Sequence, residues 1–255
     1  YMMNGWLIYQ TYNSRLLSRT GYFQSGGGYG FRDQLQDVLS ILYTKPFLVK
    51  EQILRCAKRQ FIEGDVLHWW HQKAKGVRTH ISDDLLFLPY VLSEYISATN
   101  DYNILNMKVS YLKSQDIPDN KEDLYGEFEE SEIVENIYTH SLKAILHAYN
   151  LGSHGLALIK GGDWNDGMNR VGKNGKGESV WLSMFLYDVL IKFSKISKHM
   201  KEIKTENMLI LYAEDIKKSI EESAWDGSWY MRGFYDNGDP LGSKESDECK
   251  IDLIS

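Results

Sequence analysis

The sequence is poor in several features that mark large classes of proteins. Its 255 residues include only 2 cysteines, Cys56 and Cys249, which are far apart and lack a C-x-x-C spacing, so neither a disulfide framework nor a zinc site follows. It has no apolar run of about 18 residues, the length that would span a membrane. Positive charge is in the minority, since 29 Lys and Arg face 35 Asp and Glu. The net charge of −6 argues against a surface for nucleic acid or anionic membrane.

The dominant pattern that is present is helical periodicity. The length suits one large domain or two small ones, and a hydrophobic content of 43% is enough for a substantial core. Long helices separated by aromatic and glycine-rich loops predict stacked helical hairpins, with functional loops gathered at one end. We expect residues 114–130 to form an irregular surface excursion. We also expect a small β-hairpin near residues 228–240. Helices are predicted at 1–17 (buried), Phe31–Tyr43, Pro46 to about Phe61, Asp83–Thr99 with Ser82 as N-cap, Ser131–Tyr149, 179–198 and 206–224.

The most informative stretch is a loop at residues 161–169. It places Asp163, Trp164, Asn165 and Asp166 among glycines, which let the backbone turn sharply. An indole beside acids and amides suits a sugar, because it offers an apolar face for stacking and polar groups for the hydroxyls. The alternative is a turn rich in Asn and Asp with Trp164 as a core anchor.

Other polar stretches carry weaker signals. The glycine-rich segment 18–33 is typical of a loop that approaches a ligand closely, but it lacks the features of a phosphate loop. Asp33 and Asp37 lie one helical turn apart, which is unfavourable unless a cation or ligand hydroxyls are near; a solvated helix start is the other reading. His68 and His71 favour structural or sugar-stacking roles over metal binding. Residues 172–177 are interpreted as a solvated loop.

Several of these stretches together resemble one enzyme family, glycoside hydrolase family 94. That family contains inverting phosphorylases of β-linked glucosides, including cellobiose and chitobiose phosphorylases. The sequences of these segments most resemble the C-terminal phosphorylase-like region of cyclic β-1,2-glucan synthases. The likeness implies an all-α fold, a partial (α/α)6 barrel, with residues 1–255 as a single incomplete catalytic domain. The segments that carry it are 18–37, 63–70 (E-G-D-V-L-H-W-W), 77–84 (V-R-T-H-I-S-D-D), 162–172 (G-D-W-N-D-G-M-N-R-V-G), 177–182 (G-E-S-V-W-L) and 224–252.

The resemblance implies a role for each matching residue. Asp166 matches the general acid that protonates the glycosidic oxygen, and Trp164 matches a Trp that lines the sugar site. Asp33 matches an aspartate that bonds the non-reducing glucosyl unit, and Arg19 matches an arginine that binds phosphate. Further candidates to line the site are Arg32, Gln36, Asp37, Asp83, Asp84 and Asp163.

The chemistry of such an enzyme needs only one acid. An inverting hydrolase uses a second carboxylate to activate water, whereas a phosphorylase replaces that water with phosphate, which is already anionic. Arg19 has the bidentate geometry that suits phosphate oxygens. Asp166 must be protonated, which burial or a neighbouring acid such as Asp163 would favour. The resemblance thus implies no cofactor and no metal, with inorganic phosphate as co-substrate and a β-linked gluco-oligosaccharide as substrate.

Two other functions stay open, an inverting hydrolase with Asp33 or Asp37 as base and a non-catalytic glucan-binding module. The family's remaining phosphate and leaving-sugar residues, and its N-terminal β-sandwich domain, have no match in the sequence. We therefore expect the rest of the barrel and that domain elsewhere in a longer chain, and homodimerisation as in relatives. An open barrel would expose apolar helix faces and be poorly stable by itself.

Overall fold

The computed structural model describes residues 1–17, 27–71, 74–118, 121–247 and 249–253. Helices account for more of this part than strands do. Within it, no helix combines the length and the apolar character needed to cross a membrane. The α-helices are α1 (Leu7–Gln10, flanked by π-helical turns Met2–Trp6 and Thr11–Leu17), α2 (Phe31–Leu39), α3 (Pro46–Ala57), α4 (Phe87–Thr99), α5 (Ile137–Ala148), α6 (Val180–His199) and α7 (Ile203–Ser219, continued by a π-helical turn Ile220–Ala224).

Within these described ranges, the strands pair antiparallel and form three small sheets. Their orders are β1-β2-β3-β5, β4-β6 and β7-β8-β9. The strands are β1 (Tyr29–Gly30), β2 (Leu67–Trp70), β3 (Lys75–Thr79), β4 (Lys108–Lys113), β5 (Asp123–Glu127), β6 (Glu129–Asn136), β7 (Glu178–Ser179), β8 (Gly233–Phe234) and β9 (Pro240–Leu241).

The chain divides into two compact units. The first comprises residues 1–79 and 87–144, and the second comprises residues 80–86 and 145–255. In the first unit α2, α3 and α4 pack on one another. Their shared core contains Leu35, Ile53 and Leu92, all with 0% exposure. Each unit therefore has a core of its own, built on helices.

A helical hairpin forms the body of the second unit. The Ser179 hydroxyl caps α6 by accepting a hydrogen bond from the Leu182 amide at 3.0 Å. A short turn at 200–202, with Lys201 at a φ of 61°, returns the chain into α7. Phe193 of α6 and Leu209 of α7 are both fully buried as the two helices pack together. This hairpin supports the loops that precede and follow it.

The helical architecture is confirmed in its coarse form, but the description all-α is incomplete because of the three sheets. Residues 114–130 are not wholly irregular, and the helix predicted from Ser131 begins only at Ile137. The strands β5 and β6 in this region are mostly exposed and rich in acidic residues. Their sequences therefore lack the alternation of apolar and polar residues that would have predicted strands. The hairpin near residues 228–240 is confirmed by the pairing of β8 with β9.

The N-terminal helical segment is also less buried than the sequence predicted. Trp6 is 51% exposed and Tyr9 is 56% exposed, whereas Leu16 is buried. The mixed spacing of its apolar residues indicated a helix correctly, but spacing alone does not show whether a partner element covers the apolar side.

Candidate active site

The loop that carries Asp166 is fastened at its start by the segment just before Asp83. The Gly162 carbonyl accepts hydrogen bonds from both the amide and the hydroxyl of Ser82, each at 2.9 Å. The Gly161 amide donates to the His80 carbonyl at 3.0 Å. Gly162 has a φ of 134°, in a region that side chains rarely adopt, which explains the glycine at this position. The Ser82 hydroxyl thus clamps the loop and is not an N-cap of the following helix.

Asp163 is the buried centre of the loop, with 0% exposure. Arg232 Nη2 lies 2.6 Å from both of its carboxylate oxygens. The Ser179 hydroxyl donates to Oδ2 at 2.6 Å, and the Asn165 amide donates to Oδ1 at 3.0 Å. The guanidinium of Arg232 therefore compensates the charge of the Asp163 carboxylate.

Asn165 shapes the turn on which Asp166 lies. Its side-chain oxygen accepts a hydrogen bond from the Gly167 amide at 3.1 Å and so caps the single 3-10 turn Asp166–Met168. Beside this turn, Trp164 is 53% exposed and Asp166 is exposed as well, so both side chains face solvent. The reading of Trp164 as a core anchor is therefore wrong.

The neighbouring segment 172–177 is not the simple solvated loop of the sequence interpretation. Its backbone wraps around the Asp236 carboxylate, which accepts hydrogen bonds from the amides of Asn174, Lys176 and Gly177 at 2.8 to 2.9 Å. Partial burial works to raise the pKa of Asp236, but these donors outweigh it and hold the pKa below its ordinary value. The Asp236 amide also donates to the Val171 carbonyl at 3.2 Å, so the hairpin and the loop support each other.

Two further predicted residues, Asp83 and Asp84, follow the Ser82 clamp in the second unit. Both are buried, with exposures of 0% and 1%. The Asp83 carbonyl accepts a hydrogen bond from the Leu86 amide at 2.9 Å, which closes the short turn there. The structure thus places Asp83, Asp84, Asp163, Trp164 and Asp166 in one unit.

The first unit holds the other predicted site residues. Asp33 is exposed in the first turn of α2, Arg32 is 7% exposed, and Gln36 and Asp37 are half-buried. The carboxylate of Asp33 folds back over Gly30, where an added Cβ would lie 2.0 Å from Oδ2, so the glycine leaves room for it. Arg19 lies outside the described residues.

The cation that the sequence left unidentified beside the two acids of α2 is Arg15. Its Nε donates to Asp37 Oδ2 at 2.7 Å, and its Nη2 lies 3.9 Å from Asp33 Oδ1. One guanidinium therefore relieves the repulsion between the two carboxylates, which lie one turn apart.

Sequence reasoning missed Arg15, Ser179 and Arg232 as members of these networks. Only Ser179 had a readable signal, as a serine directly before a helical run. In the described part of the chain, His, Cys, Asp and Glu side chains form no group of three or more that could hold a metal ion.

Comparison with known proteins identifies the class to which this fold and loop belong. The model of the "Glycosyl hydrolase 94 superfamily, catalytic domain" matches residues 1–255, so the chain belongs to that family. This confirms the resemblance drawn from the sequence motifs.

Particular relatives include a synthase and several phosphorylases. The chain is 41% identical over 257 residues to a cyclic beta-(1,2)-glucan synthase NdvB of Rhizobium meliloti, covering 100% of this chain and 9% of that protein. It is 33% identical over 233 residues to solabiose phosphorylase of Paenibacillus borealis, with 89% and 27% covered. It is 24% identical over 286 residues to N,N'-diacetylchitobiose phosphorylase of Vibrio furnissii, with 100% and 33% covered. The chain thus spans a third or less of the length of these relatives.

Proposed function

We propose that this chain is part of the catalytic domain of an inverting glycoside phosphorylase. It cleaves β-glucosidic bonds with phosphate to give α-glucose 1-phosphate, or forms such bonds in the reverse reaction. The observation that carries the proposal is the exposed Asp166 on a turn that the Asn165 side chain caps and that the buried, ion-paired Asp163 holds in place. A catalytic acid needs this combination, since it must reach a substrate oxygen and keep a fixed position while doing so.

Asp166 acts as the general acid in the proposed reaction. A phosphate oxygen forms a bond to C1 of the non-reducing glucosyl unit from the α face, the C1–O glycosidic bond breaks, and Asp166 donates its proton to the departing oxygen. Phosphate is both nucleophile and product group, so no second carboxylate is required. The proton returns to Asp166 from solvent or from the next phosphate, which leaves atoms and charge balanced.

The remaining predicted residues bind the two substrates. The exposed face of Trp164 offers a platform for the glucosyl ring, and Asp33 accepts hydrogen bonds from its hydroxyls. Arg32, Asp83 and Asp84 line the site, and Arg19 holds phosphate. These roles rest on the family match. In the parent protein we propose that this chain forms part of an (α/α)6 barrel, which further segments complete. An N-terminal β-sandwich domain and assembly as a homodimer belong to the same proposal.

The substrate class we propose is a β-1,2-linked or related β-gluco-oligosaccharide. Support comes from the relative with 41% identity, whose name gives a cyclic β-(1,2)-glucan as its product. The relatives at 33% and 24% identity are phosphorylases, which supports phosphorolysis as the reaction type.

A phosphorolysis assay of the full-length protein on linear β-1,2-gluco-oligosaccharides separates the candidates. We expect sugar phosphate only when phosphate is present, and a loss of about 10²- to 10⁴-fold in kcat for Asp166→Asn. Free glucose released without phosphate would replace the proposal with an inverting hydrolase. Oligosaccharide binding with every linkage left intact would replace it with a glucan-binding module.

A further inference from the structure

The Asp166 loop is tied to a remote part of the chain by a largely buried cation, Arg232. This arginine lies in the segment just before β8, and its side chain is 13% exposed against 0% for Asp163. Its Nη2 reaches both Asp163 oxygens at 2.6 Å, while Nη1 reaches the Ser179 hydroxyl at 3.1 Å. The guanidinium therefore makes three polar contacts, two to Asp163 and one to Ser179, which a point charge could not all reproduce.

The backbone on both sides of Arg232 is fixed as well. Its amide donates to the Leu241 carbonyl at 2.9 Å, and its carbonyl accepts from the Val180 amide at 3.2 Å. The first bond belongs to the hairpin, and the second joins it to the first residue of α6. The backbone of Arg232 is thus held by two regular elements, and rigid elements position a site more accurately than loops do.

From Asp163 the connection reaches the acid in two short steps. Asp163 Oδ1 accepts the Asn165 amide at 3.0 Å, and the Asn165 side chain then caps the turn that begins at Asp166. Each step is a hydrogen bond across two residues, so little slack exists between Asp163 and the Asp166 backbone. We propose that Arg232, through Asp163, is a positioning residue for the general acid, and that Asp163 acts in this way instead of contacting sugar.

This inference rests on the proposed role of Asp166, and two donors with different leaving groups test it. A β-linked gluco-oligosaccharide needs its leaving oxygen protonated, whereas β-glucosyl fluoride departs as fluoride and depends far less on an acid. Both react with phosphate to give the same sugar phosphate. A misplaced acid therefore slows the first donor selectively, whereas a damaged glucosyl or phosphate site slows both.

The variants are Arg232→Lys and Ser179→Ala in the full-length protein, each checked for thermal unfolding. Arg232→Lys keeps the positive charge but loses the planar guanidinium that contacts both Asp163 and Ser179. Ser179→Ala keeps the ion pair between Arg232 and Asp163 but removes the hydroxyl that both of them contact. If Arg232→Lys does not fold, Ser179→Ala is the variant that tests the proposal. We expect kcat on the oligosaccharide to fall by about 10²-fold for Arg232→Lys. For Ser179→Ala we expect a smaller decrease in kcat on the oligosaccharide. In both variants, kcat and KM for β-glucosyl fluoride should change little.

A matched control is Arg78→Lys in the first unit. Arg78 also pairs with a carboxylate, since its Nε and Nη2 donate to the two oxygens of Asp65 at 2.6 and 2.7 Å, and its side chain is 4% exposed. This variant should lower stability without separating the two donors.

Equal losses on both donors, or no loss on either, in Arg232→Lys or Ser179→Ala would overturn the positioning role. Asp166→Asn run in parallel keeps the two claims distinct. If that variant also fails to discriminate between the donors, the general-acid assignment itself fails.

Discussion

At the residue scale, the candidate site divides into side chains that face solvent and side chains that hold them in place. Trp164 and Asp166 are exposed, whereas Asp163 is fully buried against Arg232 and Ser179. All three loop residues are polar or aromatic and lie within four positions, so the sequence cannot tell which of them faces a ligand. Their partners decide it.

Replacing Trp164 by alanine should affect binding and leave folding intact. The indole is 53% exposed, so its loss removes little buried area but deletes the surface proposed to stack on a glucosyl ring. We expect oligosaccharide binding by calorimetry on the full-length protein to weaken by about 3- to 10-fold, with an unchanged Tm. Trp225→Ala is the control, because Trp225 is 48% exposed but lies outside the loop. Equal weakening in both variants would contradict the assignment of Trp164.

Replacing Asp236 by asparagine should destabilise the segment 172–177. Its carboxylate accepts three backbone amides, of which an amide side chain can satisfy fewer and less strongly. Because water reaches the half-buried side chain, we expect the free energy of unfolding to fall by only about 1 kcal/mol. Asp188→Asn, at an exposed carboxylate paired with Lys192, should change it by less than about 0.5 kcal/mol.

The effect of Asp236→Asn should also depend on pH. The pKa of Asp236 is lower in the folded protein than its ordinary value of 3.8, so the folded state favours the ionised form. Its contribution is fully present above about pH 5 and is lost as the pH falls through the folded pKa. The difference in unfolding free energy between the native protein and the variant should therefore shrink on acidification. A difference that grows as the pH falls would contradict this.

At the element scale, the four-stranded sheet contains two glycines that pair with each other but have different surroundings. Gly76 of β3 pairs with Gly126 of β5. A Cβ at Gly76 would lie 2.2 Å from the Trp69 carbonyl, whereas one at Gly126 would meet only the Phe128 ring at 3.9 Å. The first glycine allows β2 and β3 to approach closely, and the second has room for a side chain.

Alanine at these positions gives a matched pair of variants. Gly76→Ala should lower the free energy of unfolding by about 1 to 3 kcal/mol, because backbone of β2 must move to admit the methyl group. Gly126→Ala should leave it unchanged or slightly higher, since a strand alanine loses less conformational entropy than glycine. Urea unfolding followed by fluorescence measures both. Similar changes for the two variants would show that close packing of β2 on β3 does not stabilise the sheet.

The elements that the sequence predicted well are those with a strong apolar period. The helix predicted at 179–198 is observed as Val180–His199, because a long run of apolar residues at helical spacing faces α7. The strand β5 was missed because its side chains are mostly exposed and its stability comes from backbone pairing with β3. A backbone ladder leaves no trace in side-chain polarity.

At the scale of the whole molecule, the motifs indicated the family correctly and the comparisons confirm it. The identities of Asp163 and Asp166 were readable from the loop, but their division into a buried and an exposed role was not. That division depends on Arg232, which lies 69 positions from Asp163 in the chain. A contact between residues so far apart in the chain is set by tertiary packing. The sequence next to Arg232, which includes Trp229 and Tyr230, has no local pattern that predicts it.

Our central proposal is that the domain transfers a glucosyl unit to phosphate with inversion, using Asp166 as the acid. The most direct measurement is proton and phosphorus NMR of the full-length protein acting on a linear β-1,2-gluco-oligosaccharide in phosphate buffer. We expect α-glucose 1-phosphate as the first sugar product, formed about 10²- to 10⁴-fold more slowly with Asp166→Asn. Appearance of β-glucose 1-phosphate, of free glucose without phosphate, or of undiminished product with Asp166→Asn would contradict it.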